Sequence, residues 1–356
     1  MEKETYLKRR KGEVFIGIDL HKGFWVVSAI VEEEYIFKSV RLPGSLDHFL
    51  HWLEQFKAWP RHHLHLVYEA GCFGFWICQE LVARGYDCRI TPPSLIPVEE
   101  GNHVKTDARD SQKLARYLSK GLLREVHVPV EEVVTDRDLL RTRTQLVRQR
   151  ATIELQIKAK LLMHGKQNWL PAASGRWTER SVSALRAQLE GTPLEILLSS
   201  FLNVRQFIIE ECRRLEVKIR ELARKEDYAP VVKILSSAYG IGPLTAITLW
   251  LEAGANIARF KNSRQWSAYL GLTPSEYSSG ENTRRGHITR CGNARIRSLL
   301  VENSWVAIRY DRSLKKCYEK LRKRCGGKKA IVAVARKFAC RLRQMLLKQE
   351  EYRMAA

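Results

Sequence analysis

Two apolar, β-branched runs, Val14–Leu20 (VFIGIDL) and Phe24–Val31 (FWVVSAIV), are separated only by His21-Lys22-Gly23. So short a break leaves room for a tight turn and nothing else, and it predicts an antiparallel hairpin. A third run, Tyr35 to Leu42, extends the meander. Ser45 then caps a helical pattern whose face carries Leu46, Phe49, Leu50 and Leu53. Further along, Leu64–Glu69 reads as a strand, Phe75–Arg84 as a helix, Asp87–Thr91 as a short strand and Asp107–Ser119 as a helix. Hairpin-linked strands followed by α/β crossovers fit a mixed sheet with helices on its faces.

The pattern changes at Glu131. From there to about His164, Leu139, Leu146 and Ile153 recur at seven-residue spacing, which predicts one long helix with a heptad seam. A second long helix is expected from about Leu194 to Lys225. Gly165–Pro193 between them, with its Trp, Gly and Pro residues, reads as an irregular connector. The two helices fit either an intramolecular hairpin or a dimerising coiled coil. From Tyr228 the chain reads as helical and basic, and Tyr239-Gly240-Ile241-Gly242 before an apolar helix resembles a helix-hairpin-helix turn. Three domains are therefore expected: 1–130, 131–227 and 228–356.

Charge narrows the function. Among 356 residues, 61 Lys and Arg face 39 Asp and Glu, a formal charge of +22 that self-repels unless a polyanion partner takes it up. No apolar run approaches the roughly 18 residues of a spanning helix, and the charged N-terminus lacks a signal-peptide core. A cytoplasmic protein with no membrane partner is expected. None of the eight cysteines forms a C-x-x-C pair, which argues against structural zinc and fits a reducing compartment. The run Lys320–Lys348 has 11 basic residues and no acid, including Lys328, Lys329, Arg336 and Lys337, and it reads as a phosphate-contacting surface.

Within so basic a chain, a few carboxylates stand out. Asp19 sits in an otherwise apolar strand, where an unpartnered carboxylate costs several kcal/mol. Glu69 ends another strand before Ala70-Gly71. Asp107 and Asp110 are three apart and share one helical face, although locally each also suits a helix N-terminus. Together they form an oxygen donor set for Mg²⁺, with Mn²⁺ also accommodated. A second cluster spans Gly271–Arg297: Ser278, Ser279 and Gly280 in a flexible loop, with Arg284, Arg285, Arg290, Arg295 and Arg297 around it. By composition this is a surface loop; by chemistry it presents a serine hydroxyl among arginines.

The motifs IGIDLHK (16–22), YEAG (68–71) and KTDARDSQKLA (105–115), followed by GLTPSEYSSG, GHIT and CGNARIRSLL, occur in the order seen in one family. The sequence resembles the DEDD-type transposases of bacterial insertion sequences, bridge-RNA-guided recombinases with a RuvC-like (RNase H fold) domain. Two departures are Ser111, where alanine is more usual, and Cys291, where a basic residue is common. The resemblance implies that Asp19, Glu69, Asp107 and Asp110 are the metal-binding catalytic acids and that Ser279, with Ser278 as its less favoured neighbour, is a nucleophile similar in role to that of serine recombinases. It further implies a phosphoserine intermediate, a structured guide RNA pairing with donor and target DNA, dimerisation through the long helices, and assembly to a tetramer. The alternatives are a metal-dependent Holliday-junction-type nuclease that uses activated water, and a non-catalytic nucleic-acid binder.

Overall fold

The computed structural model describes residues 12–97, 107–170, 177–277, 282 and 284–353, and the chain divides into two compact units, Met1–Glu131 and Glu132–Ala356.

The first unit holds a five-stranded sheet of order β3-β2-β1-β4-β5, formed by β1 (Val14–Leu20), β2 (Phe24–Val31), β3 (Glu34–Pro43), β4 (Leu64–Glu69) and β5 (Asp87–Thr91). As expected, β1 and β2 form a hairpin in register from Val14↔Val31 to Leu20↔Trp25, and β3 pairs antiparallel with β2. Beyond the first crossover the pairing turns parallel, β1 with β4 and β4 with β5. Side chains alternate between the faces. Ile16, Ile18, Leu66, Tyr68 and Ile90 point into a core closed by α1 (Leu46–Leu53) and α2 (Trp76–Ala83) through Phe49, Trp52, Ile77 and Leu81. Ser45 caps α1 by accepting from the His48 amide. On the opposite face, α3 (Asp107–Ser119) packs Leu114, Tyr117 and Leu118 against Val67. Gly17, Asp19 and Glu69 share the parity of that second face.

The second unit is helical. Its long helices are α4 (Glu131–Met163) and α6 (Glu195–Leu222). They pair antiparallel within the chain, because Arg143 meets Glu216 at 2.6 Å and Glu154 meets Arg205 at 2.8 Å. The heptad reading is corrected in detail. Leu139, Leu146 and Ile153 are only partly buried, and α4 buries Val133, Arg137 and Leu140 near one end and Ile157 and Leu161 near the other. Nothing between them is buried, so no continuous heptad seam is buried within the chain. The expected irregular connector contains a helix, α5 (Glu179–Leu189), capped by Thr178, and its Leu185 and Leu189 join Ile157, Leu161, Leu198 and Leu202 in a small core.

The remaining elements are α7 (Ala229–Ser236), α8 (Pro243–Glu252), α9 (Ser263–Tyr269), the two-stranded β6 (Pro274–Glu276) and β7 (Arg285–Ile288), α10 (Ala294–Tyr310), α11 (Arg312–Cys325) and α12 (Gly327–Lys348). The buried face of α12, with Val334, Phe338 and Leu342, lies in one cluster with Trp266, Ile296, Leu300 and Leu314. Among the described residues, no helix is long and apolar enough to cross a membrane.

Candidate active site

The first unit brings α3 unusually close to β1. A Cβ on Gly17 would stand 2.2 Å from the Ser111 carbonyl oxygen and 2.4 Å from the Ala115 nitrogen, so the helix can lie there only because the strand offers no side chain. Hydrogen bonds fix its register. The buried hydroxyls of Ser28 and Ser111 are 2.9 Å apart, and the Ser39 amide donates to Ser28 Oγ at 2.9 Å. Ser39 Oγ donates to the Ala108 carbonyl at 3.1 Å, and Tyr35 donates to the Gln112 carbonyl at 3.0 Å. Ser28 lies at an irregularity in the β2–β3 pairing, and Ser39 takes a left-handed φ of 56°. The strand distortion therefore aims polar groups at the first turns of α3. The unusual Ser111 is the helix's share of this network.

That docking carries Asp107 to Asp19. His21 Nε2 stands 3.1 Å from Asp19 Oδ2 and 3.5 Å from Asp107 Oδ1, and one ligand atom from each of the three residues lies within 4.8 Å of the others. Burial raises the Asp19 carboxyl above its ordinary range, and the charges of Asp110 and Asp107 raise it further against the hydrogen bond and charge of His21. Asp110 thus acts on Asp19 from the next turn of the same helix. Glu69 lies at the corresponding end of β4, one step past the Ile18↔Tyr68 pair and therefore level with Asp19. It is not one of the three residues in the close group. Sequence reasoning missed His21, reading it as a turn. The available signal was its i+2 spacing from Asp19, which continues the strand's alternation past its end.

In the second unit, β6 and β7 make an antiparallel hairpin, with the Tyr277 amide donating to the Arg284 carbonyl at 2.9 Å. Where a loop between helices was expected, Ser278 and Ser279 fall between the two strands, outside the described residues. The base of the hairpin is tightly closed. Gly292 has φ 112°, and a Cβ there would stand 2.2 Å from the Tyr269 carbonyl oxygen. Asn293 caps α10, accepting from the Arg295 and Ile296 amides, and its Nδ2 donates to buried Glu252 at 2.8 Å.

A family model described as a transposase of the DEDD, IS110 type matches residues 16–164, and one described as "Transposase IS116/IS110/IS902 family" matches residues 232–319. The transposase for insertion sequence element IS1111A of Coxiella burnetii is 30% identical, over 75% of this chain and 73% of that protein. The chain belongs to this family of insertion-sequence transposases. The y4qE protein of Sinorhizobium fredii, named as a presumed transposase, is 36% identical over 68% of this chain, and the match spans only 58% of the relative. A second Sinorhizobium fredii protein of similar name, y4rJ, is 26% identical over 94% of this chain and 92% of its own length. The serine-recombinase label attached to the resemblance is corrected by these matches. All of them are described as transposases, and the N-terminal model is designated by its acidic residues.

A divalent ion, typical of this family, suits the residues present. Burial first, and then the charges of Asp110 and Asp107, hold the Asp19 carboxyl above its ordinary range, and a bound cation would favour its ionised form against both.

The basic residues separate into two kinds. Arg284, Arg290, Lys328, Lys329 and Lys337 are exposed, and Arg336 is partly exposed. Arg285 opens β7, and its side chain lies outside the described residues. Arg297 is tied down, donating to the Leu270 carbonyl at 2.9 Å, and Arg295 stands 3.8 Å from Glu252. The reading of the whole 320–348 run as a phosphate surface is corrected at two positions. Arg343 is buried and donates to the Phe260 carbonyl, while Arg341 pairs with Asp311 at 2.9 Å. Nucleic-acid affinity should fall steeply with salt, by about 10³-fold between about 50 and 200 mM if six or more phosphates are contacted. The double change Lys328→Glu with Lys329→Glu should flatten that slope in a titration, and an unchanged slope would remove these lysines from the interface.

Proposed function

We propose that the chain cuts and rejoins DNA as an insertion-sequence transposase, with Asp19, Glu69, Asp107 and Asp110 as its acidic catalytic set. The observation that carries this reading is the convergence of Asp19 and Asp107 on one 4.8 Å group, across 88 residues of sequence, in a chain whose family is designated by such acids. Mg²⁺, or Mn²⁺, is the ion these residues hold; when bound, it neutralises charge gathering on a phosphodiester under attack. Asp19 and Asp107 bind from strand and helix. Asp110 adds negative charge one turn behind, and Glu69 completes the set from the adjacent strand end.

The nucleophile of this reading is the hydroxyl of Ser279, with Ser278 beside it. Its oxygen attacks phosphorus and loses its proton to solvent, and the displaced sugar oxygen leaves and takes up a proton, so that a serine–phosphate ester replaces the broken sugar–phosphate ester and conserves its energy for rejoining. Support for the serine comes from the motif resemblance, and the arginines on the β6–β7 side of the loop suit a phosphate. A structured guide RNA choosing donor and target DNA belongs to the same reading, supported by the resemblance and the +22 charge. So does self-association to a dimer and then a tetramer. Exposed Leu155, Leu162 and Met163 on α4 and Ile196 and Phe207 on α6 offer apolar surface for it.

The test is DNA cleavage by the full chain supplied with the transcript flanking its reading frame. Asp19→Asn and Asp107→Asn should each lower cleavage by about 10² or more at retained fold. Ser279→Ala should abolish a covalent protein–DNA adduct. Adduct-free cleavage that survives Ser279→Ala would make the protein a nuclease using activated water. Unchanged activity in both aspartate variants would leave only a nucleic-acid binder.

A further inference from the structure

His21 is the member of the close group to which the proposed chemistry gives no task. Its ring is held in place. The backbone amide donates to the Phe24 carbonyl at 3.0 Å, closing the β1–β2 turn. The imidazole stacks on the Phe24 ring at 4.6 Å and 25°, and the Arg41 guanidinium lies 3.7 Å from the centre of that same ring. Swinging His21 away would break this stack, so Nε2 stays directed between Asp19 Oδ2 and Asp107 Oδ1.

His21 Nε2 stands within ion-pair reach of both carboxylates, and only the Asp19 contact is short enough for a hydrogen bond. The 3.5 Å separation from Asp107 is long for a charge-assisted hydrogen bond, which runs at about 2.7–2.9 Å. By contrast, neighbouring ligands around an octahedral divalent ion at about 2.1 Å stand about 3 Å apart. Nε2 to Asp19 Oδ2, at 3.1 Å, matches that edge, and the contact to Asp107 is a few tenths of an ångström wider.

We propose that His21 is itself an ion ligand, so that the site is a mixed nitrogen–oxygen centre that favours Mn²⁺ over Mg²⁺. This rests on the reading of Asp19 and Asp107 as ion ligands. Mg²⁺ takes oxygen donors and holds its water reluctantly surrendered, whereas imidazole raises affinity for the later first-row metals. A carboxylate-only site would have little means of telling the two ions apart. His21 supplies one.

The experiment measures binding to the full-length protein, without substrate. Mn²⁺ affinity is read from the free-ion EPR signal, Mg²⁺ affinity by competition, and pulsed EPR of bound Mn²⁺ reports a coordinated ¹⁴N. Wild type should show the nitrogen modulation. His21→Ala should lose it and bind Mn²⁺ about tenfold more weakly, with Mg²⁺ affinity changed much less. His21→Gln, which preserves bulk beside Phe24, gives a second variant should alanine loosen the turn. Absence of nitrogen modulation in wild type overturns the proposal even if neither variant folds. Mn²⁺ affinity unchanged or increased in a folded His21 variant overturns it too, since the histidine would then be an ion-pair partner that the metal displaces. Asp19→Asn separates the two levels: Mn²⁺ binding that survives it with wild-type affinity overturns the ion-ligand reading of the acids themselves.

Discussion

Gly17→Ala is expected to cost the N-terminal unit at least about 3 kcal/mol and to weaken divalent-ion binding along with it. The added methyl would stand 2.2 Å from one backbone atom of α3 and 2.4 Å from another, with Leu114 Cβ at 2.8 Å. Flexible side chains can yield to such a group, but a helix backbone must translate. Moving α3 breaks the Ser28–Ser111 and Ser39–Ala108 hydrogen bonds and carries Asp107 and Asp110 away from Asp19. Chemical denaturation would show the lost stability as a lower midpoint at unchanged slope. Wild-type midpoint and ion affinity in the alanine variant would mean that α3 is not anchored in this way.

The second large effect is expected at Glu252. Its carboxylate is 1% exposed and is gripped by Arg141, with Nε to Oε1 and Nη2 to Oε2 both 2.8 Å, and by Asn293. Arg141→Ala leaves a buried charge without its main partner, which costs about 3–5 kcal/mol, towards the lower end because Asn293 remains. The pH dependence follows from the direction of the shift. Burial pushes the Glu252 carboxyl up, and the hydrogen bonds from Arg141 and Asn293 outweigh it, so the folded value lies below the ordinary 4.5. The pair's contribution is therefore complete above pH 4.5 and disappears as pH falls through the depressed folded value. Without Arg141, burial dominates, and acid unfolding should begin at higher pH. An acid midpoint that does not move would show that Arg141 is not the group holding Glu252 ionised. Because Asn293 caps α10 directly after the β6–β7 hairpin, the same variant should also loosen the base of that hairpin.

The strands of the first unit were legible because their signal is local. Val14–Leu20 and Phe24–Val31 are apolar and β-branched, and their three-residue break permits little besides a hairpin. Asp19 stood out for the same reason, as the one charge in an apolar strand, and the pair Asp107 and Asp110 was visible as a three-residue spacing. Less could be read where the partner is distant in sequence. Nothing local marks Gly17 as the place where a helix arriving 94 residues later touches the strand backbone at Ser111. The serines at 28, 39 and 111 look like ordinary polar residues until the β2–β3 irregularity turns them toward α3. On α4, seven-residue spacing described an apolar seam, yet its buried apolar residues lie near its two ends, while ion pairs from Arg143 and Glu154 join its middle to α6. The basic run at 320–348 likewise gave no sign that Arg341 and Arg343 turn inward, since charge in a sequence carries no direction.

By itself the amino-acid order determined the strands of the first unit and the long helices of the second, which acids are out of place in their surroundings, and an excess of positive charge that suits a polyanion, because propensity, periodicity and net charge are sums over neighbours along the chain. Only the folded arrangement decided that a glycine admits α3, that two aspartates close on a histidine, and that Glu252 ties α4 to the base of a hairpin. Those contacts are set by distances through space, where a few tenths of an ångström separate a ligand from a bystander, and linear spacing carries no record of them.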